Sequence, residues 1–248
     1  MKAFFKIYSI AFESLIAIPT SFSIRASEEE RARASAFFPV VGLFLGIVMN
    51  VTHRISLLVL PEDMADFLAI VVLALASGGF HLKGFGDWLE RFLAGEEAVG
   101  SNSTAREFTD GKIYASGIIL IQWLQFLALT RVPSSYKSVV LTLMPMVTHW
   151  VMIQVCYGLR FFEVTVSPDF CRMIGLKEVL TATVFSLAVL TLYLRLNAAT
   201  VAAIMIMFSM IFILLHRIKG RAWREDVLGA VGETSGLLFL VSAPYLNF

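Results

Sequence analysis

The sequence predicts an all-α fold, a polytopic helical bundle that spans a membrane. Three observations carry this. Of 248 residues, 58% are hydrophobic and only 16% are charged, and the mean hydropathy is +0.78, well beyond what a soluble domain can hide in its core. The apolar residues gather in about seven stretches long enough for a helical crossing, which needs roughly 20 residues. None of these stretches alternates with a period of two, so a transmembrane barrel is excluded and helices, which satisfy their own backbone hydrogen bonds, are required.

In order, the spans are Ala34 to His53, Met64 to Leu82, Ile113 to Thr130, Ser138 to Leu159, Val179 to Leu194, Leu196 to Leu215 and Val227 to Phe248. Residues 3–18 are also apolar, but Lys6 and Glu13 interrupt them and Pro19 ends them, which suits an interfacial or re-entrant helix. The acidic run Glu28 to Glu30 follows where a signal peptide would carry a small-residue cleavage site, so no cleavage is expected. No linker, repeat or low-complexity tract divides the chain, and 1–248 reads as one integral membrane domain. Cys156 falls inside a span and Cys171 in a loop, which does not suggest a disulfide framework.

Counting crossings from Ala34 places residues 20–33, 81–112, 160–178 and 216–226 on one side. That side holds fourteen basic residues: Arg25, Arg31, Arg33, Lys83, Arg91, Arg106, Lys112, Arg160, Arg172, Lys177, Arg217, Lys219, Arg221 and Arg224. The other holds four, Arg54, Arg131, Lys137 and Arg195. Lysine and arginine accumulate on the cytoplasmic side. The expectation is therefore a multi-pass protein of the cell (inner) membrane whose site loops, about 81–112 and 216–233, face the cytoplasm.

The first of these loops concentrates acid. In GGFHLKGFGDWLERFLAG, helix is expected from Asp87 to Leu93. If it runs further back, Lys83, Asp87 and Glu90 share one face. Later in the loop, STAREFTDGK sets Arg106 and Asp110 four apart and Glu107 three before Asp110. Carboxylates from facing helices suit a hard cation such as Mg²⁺, which usually arrives with a phosphorylated substrate. The competing reading of the same spacing is a set of surface salt bridges at helix ends.

The second loop, HRIKGRAWREDVLGAVGE, packs Arg217, Lys219, Arg221 and Arg224 beside Asp226, a mixture suited to gripping a polyanion. Anionic lipid is the bland alternative for the basic residues. Glu233 lies about two turns inside the last span, seven residues after Asp226 on the same face, and ionisable groups in membrane helices usually have partners and functions. His149, at mid-span, is expected to be a helix-packing hydrogen-bond donor. His53 and His216 are expected at the interface, and His81, near the acidic loop, is a candidate ligand or base.

Four segments, in order over nearly the whole chain, resemble the cobalamin synthase (adenosylcobinamide-GDP ribazoletransferase) family. FFPVVGLFLG (Phe37 to Gly46) resembles its first-span signature. ASGGFHLKGFGDWLE resembles its GGFHLDGLADTxDG segment, FTDGKIYASG its MRDSRxGxxG segment, and EDVLGAVGE its GDxxGAxxE segment. The chain is a divergent version: Lys83 stands where the family has its first aspartate, Glu90 replaces the next acid after Asp87, Arg91 replaces the following glycine, and the TGD triplet becomes Arg224, Glu225, Asp226.

The resemblance implies transfer of adenosylcobinamide phosphate from a GDP-activated corrinoid to α-ribazole or its phosphate, with release of GMP and Mg²⁺ as the metal. Asp87, Glu90 and Asp110 would ligate the metal, and Glu90, Asp110 and His81 are open alternatives for the base. Lys83, Lys112, Arg221, Arg224, Asp226 and Glu233 would contact substrate, with Lys83 pairing either Asp87 or a diphosphate. Besides the two substrates and the lipid bilayer, a homo-oligomer is compatible with the sequence and no nucleic acid is expected. The rivals are a catalytically degenerate paralogue and a transporter or other binding protein. A transporter would favour internal repeats and mid-membrane charge, whereas these charges gather at one face.

Overall fold

A computed structural model describes residues 2–17, 26–94, 111–161, 169–218 and 225–246, and these form helices and turns without a strand. The helices are α1 (Lys2–Leu15), α2 (Glu28–Ser35), α3 (Phe38–Ser56), α4 (Glu62–Ala76), α5 (Phe80–Ala94), α6 (Lys112–Thr130), α7 (Ser134–Leu159), α8 (Phe170–Met173), α9 (Leu176–Leu194), α10 (Asn197–Ile218) and α11 (Glu225–Ser242). Six of them, α3, α6, α7, α9, α10 and α11, are long and apolar enough to cross a membrane, and α4 with α5 makes a seventh candidate bent by 87°. The all-α polytopic bundle expected from the sequence is therefore the fold observed.

The centre of the bundle is α7, 89% of whose apolar window is buried, against 17% for α9 at the rim. Trp150, Leu141, Leu143 and Met146 of α7 are shut off from the surface. Its closest neighbour is α3, and the reason is small residues: side chains at Gly42 and Gly46 would collide with the α7 backbone at Pro145 and Thr142. Without a hydrophobic force to drive helices together in lipid, such close backbone contact supplies the packing energy. Outward, Ile119, Leu120 and Trp123 of α6 and Leu180, Val184 and Leu192 of α9 are exposed, a rim suited to acyl chains rather than water.

One expected boundary is wrong. The second span was expected to run to Leu82, with the next helix beginning at Asp87. Instead α4 stops at Ala76 and α5 starts at Phe80. Gly78 (φ 62°) and Gly79 (φ 70°) both adopt the left-handed conformation that glycine alone enters cheaply. The Gly79 amide donates to the Ala74 carbonyl at 2.8 Å and the Gly78 amide to Leu75 at 3.0 Å, closing a Schellman cap. Apolarity continues through Phe80 and Leu82, but the glycine pair decides the turn.

The helix α1 lies against α2 and α3, tied to α2 by a Lys6–Glu30 ion pair, and just past its end the Ala17 amide donates to the Ala76 carbonyl of α4 at 2.9 Å. His53 and His216 both lie in the last turn of their helices and are both buried. His53 Nε2 lies 3.0 Å from Asp66 Oδ1, while Lys137 Nζ donates to Asp66 Oδ2 and to Glu62 Oε1, each at 2.7 Å. This network pins the end of α3 to the starts of α4 and α7, at the opposite end of the bundle from α5. The Cys156 and Cys171 side chains meet in the core, their sulfurs 2.9 Å apart.

Candidate active site at the crossing of α5 and α11

The GGFHLKGFGDWLE and EDVLGAVGE segments fold as α5 and α11, and these two helices cross in close contact. Gly84 and Gly229 make the crossing: a Cβ on Gly229 would lie 2.7 Å from the Gly84 Cα, and one on Gly84 would lie 3.0 Å from the Asp226 carbonyl oxygen. Glycine is needed here for approach rather than for φ. Gly117 of α6 completes the cluster, its face covered by Leu89 and Phe85 of α5.

Because helix runs through all of 80–94, Lys83, Asp87 and Glu90 do lie on a common side of α5, as the spacing implies. Lys83 Nζ donates to Asp87 Oδ2 at 2.5 Å. One turn further on, Arg91 reaches across to α11 and pairs with Asp226. The sequence reading did not foresee that pairing; the only local signal was an arginine on the same face as Asp87, four residues beyond it. Asp226 is buried, and its Oδ1 has no hydrogen-bond partner among the described residues. Lys112 opens α6 and is exposed, while Asp110, Arg221 and Arg224 lie outside the described residues.

Glu233 and His81 belong to a second, inner layer. Gln125 Nε2 of α6 donates to Glu233 Oε2 at 2.8 Å, and Gln122 Nε2 reaches the same oxygen at 3.4 Å. Neither glutamine was singled out from sequence, although two amides three residues apart in an apolar span were the available signal. Next to them, His81 packs edge-to-face on His149, ring centroids 5.2 Å apart. His149 Nδ1 lies 2.6 Å from the Pro145 carbonyl, which can only accept, so Nδ1 carries a proton; the bond stays within α7 and does not join it to another helix, as the expected packing donor would. His149 Nε2 and both nitrogens of His81 are buried without hydrogen-bond partners among the described residues. His81, His149, Gln125 and Glu233 border a cavity of about 20 Å³, enough for a single water. His81 therefore faces the interior and not the Lys83–Asp87 side.

Among the described residues, no cluster of three or more histidine, cysteine or acidic side chains converges as a metal site. Mg²⁺ that arrives on a substrate phosphate needs only one or two protein carboxylates. Asp87 beside Glu90, and Asp226 with its unpartnered buried oxygen, have the chemistry for that.

An integral-membrane bundle with acids and cations gathered where two helices cross at one end has the design of a membrane-embedded transferase acting on phosphorylated substrates. Comparison with known proteins makes this specific. The profile of the cobalamin-5-phosphate synthase family matches residues 7–243, and the chain belongs to that family. It is 28% identical over 238 residues to an adenosylcobinamide-GDP ribazoletransferase of Geotalea daltonii, covering 96% of each chain. It is 25% identical over 230 residues to the enzyme of the same name from Acetivibrio thermocellus, covering 92% of each. No solved structure matches the chain significantly.

Proposed function

We propose that this protein transfers the adenosylcobinamide phosphate group from adenosylcobinamide-GDP to α-ribazole or its phosphate, releasing GMP, in the last steps of cobalamin biosynthesis. The observation that carries the reading is that the two motif segments of a chain in this family meet at the α5–α11 crossing, with Asp87, Glu90 and Asp226 on it. A hydroxyl of the acceptor attacks the phosphorus of the corrinoid phosphate in line, the P–O bond to GMP breaks, and the hydroxyl proton passes to a base. Glu90, on the face of Lys83 and Asp87, is better placed for that proton than the inward-facing His81.

Mg²⁺, held by Asp87, Glu90 and Asp110, would neutralise charge developing on the departing phosphate. Lys83, Lys112, Arg221 and Arg224 supply cations for the diphosphate, and Asp226 and Glu233 hold α11 in place through Arg91 and Gln125. The site end of the bundle faces the cytoplasm of the inner membrane on this reading, supported by the fourteen-to-four asymmetry of basic residues. The transporter alternative has no comparable support, since the family match spans the chain.

The experiment is GMP release from adenosylcobinamide-GDP by protein in nanodiscs with α-ribazole and Mg²⁺. Metal-dependent release that disappears in Asp87→Ala and Asp110→Ala is expected. Absence of release where another family member turns over would refute the assignment.

A further inference from the structure

Trp88 follows Asp87 on α5 and projects about 100° further round the helix. There it meets α10. Trp88 Nε1 donates to His216 Nε2 at 3.1 Å. The indole also stacks on Phe212 of α10, at 29° with ring centroids 6.1 Å apart, and on Phe92 of its own helix, at 28° and 4.9 Å. Phe212 in turn stacks on His216, at 23° and 4.5 Å.

The protons in this junction are fixed by its partners. An indole N–H can only donate, so His216 Nε2 holds a lone pair. His216 Nδ1 lies 3.0 Å from the Phe212 carbonyl, which can only accept, so Nδ1 carries the proton. The two bonds select one neutral tautomer of a buried imidazole, with one nitrogen spent on its own helix and the other on α5. A phenyl ring at position 216 would keep the stacking and lose the acceptor. A glutamine would keep an acceptor.

Such a bond bears on the candidate site because the acids ride on α5. Gly84 and Gly229 set how closely α5 approaches α11, but two glycine faces offer no side chain to stop one helix turning against the other. Arg91 on Asp226 and Leu89 over Gly117 guide two sides of α5; Trp88 on His216 guides a third. A helix with its side chains is about 10–12 Å across, so a carboxylate swings by about 1 Å for each 10° of rotation. His216 also stands where α10 leads into the segment holding Lys219, Arg221 and Arg224. The bond therefore fastens the acid-bearing helix to the start of the basic segment.

We propose that His216 is a positioning residue for the transfer: by accepting the Trp88 indole hydrogen bond it fixes the rotation of α5 and so the aim of Asp87 and Glu90. The proposal rests on the transfer reaction above. His216 itself touches no reacting atom, and its effect passes through Trp88.

The test compares wild-type protein, His216→Phe and His216→Gln in nanodiscs, by GMP release and by the indole N–H resonance of Trp88 in NMR spectra. In His216→Phe, kcat should fall by about ten- to a hundredfold, while KM for adenosylcobinamide-GDP stays within about twofold. The Trp88 resonance should move to that of an indole without the bond. His216→Gln should restore both. Trp88→Phe removes the donor instead, and the double variant Trp88→Phe, His216→Phe should lose no more turnover than either single one. Wild-type kcat in His216→Phe overturns the inference, as does a loss confined to KM, an equal loss in His216→Gln, additive losses in the double variant, or a Trp88 resonance that does not move. The ring nitrogen resonances of wild-type His216 need no variant: a proton on Nδ1 with a lone pair on Nε2 supports the junction, and the reverse tautomer overturns it. If wild-type protein releases GMP while these results fail, only the role of His216 falls. If it releases none where another family member turns over, the transfer reaction falls and the positioning role with it.

Discussion

Replacing Gly229 with alanine tests the helix crossing directly. In a helix interior the change alone should stabilise by about 1 kcal/mol, because alanine loses less backbone entropy than glycine. Against this, the new Cβ would sit 2.7 Å from the Gly84 Cα and 2.8 Å from the Phe85 amide nitrogen, and would overlap the His81 carbonyl oxygen. Carbon atoms prefer separations of about 3.5–4.0 Å, so the backbone of α5 must retreat by about 1 Å. Overpacking of this kind costs about 1–3 kcal/mol, and a misplacement of about 1 Å between reacting groups can lower turnover about a hundredfold. Gly232, three residues along the same helix, is the control: its added Cβ would meet nothing nearer than His81 Nδ1 at 3.4 Å, so Gly232→Ala keeps or gains stability. Thermal unfolding in detergent and GMP release should separate the two variants. Wild-type turnover and stability in Gly229→Ala would refute the view that close approach of α5 and α11 builds the site.

Gln125→Leu removes the 2.8 Å donor to Glu233 and should cost about 1–3 kcal/mol, the penalty of a buried acceptor left short of a partner; unfolding with and without a compensating Glu233→Gln checks it. Lys137→Met strips the cation from buried Asp66 and should cost about 3–5 kcal/mol, most of it regained in the Lys137→Met, Asp66→Asn double variant; additive losses in a thermal-shift cycle would contradict the coupling. Lys83→Ala should change stability by no more than about 1 kcal/mol, since the Lys83 side chain is 70% exposed, yet raise the KM for adenosylcobinamide-GDP; a gain of Mg²⁺ affinity and turnover in Lys83→Asp would instead mark Lys83 as a lesion. The Lys6 hydrogen bond, with a second from the Ser27 amide, holds the Glu30 carboxyl below its ordinary 4.5. Its tethering of α1 is therefore complete above about pH 4.5 and lost as pH falls through the lowered value, so α1 amides should exchange faster in acid, and Lys6→Met should abolish that dependence.

The bundle was legible in the sequence because lipid imposes one strict demand, long apolar helices with internally satisfied backbones, and the runs from Ala34 to Leu215 meet it openly. The α4–α5 turn was not, because Phe80 and Leu82 prolong the apolar run while the left-handed φ of Gly78 and Gly79 makes the bend. Spacing along one helix correctly put Lys83, Asp87 and Glu90 together. It could not reveal partners on other helices, which is why Arg91 with Asp226, Gln125 with Glu233, His81 with His149, and Lys137 with Asp66 emerge only from the fold.

These pairings also give a reason for the cations that depart from the family pattern. Asp87 stands between Lys83 and Arg91, four residues to either side on one face of α5, with Lys83 bound to it and Arg91 bound to Asp226. Asp87 and Asp226 are thus each paired with a cation before substrate arrives, which lessens the repulsion that carboxylates at a helix crossing would otherwise suffer. Under the transfer reaction proposed above, the substrate brings a diphosphate, and Lys83 and Arg91 are the nearest cations on α5 for it to take. Each cation that moves to a phosphate frees a carboxylate for a divalent ion arriving with the substrate. On that reading Asp87 and Asp226 would be unmasked only when there is a diphosphate to hold. On the proposed reaction, lysine at position 83 would be a counter-ion that changes partner on binding, a role an aspartate at that position could not fill.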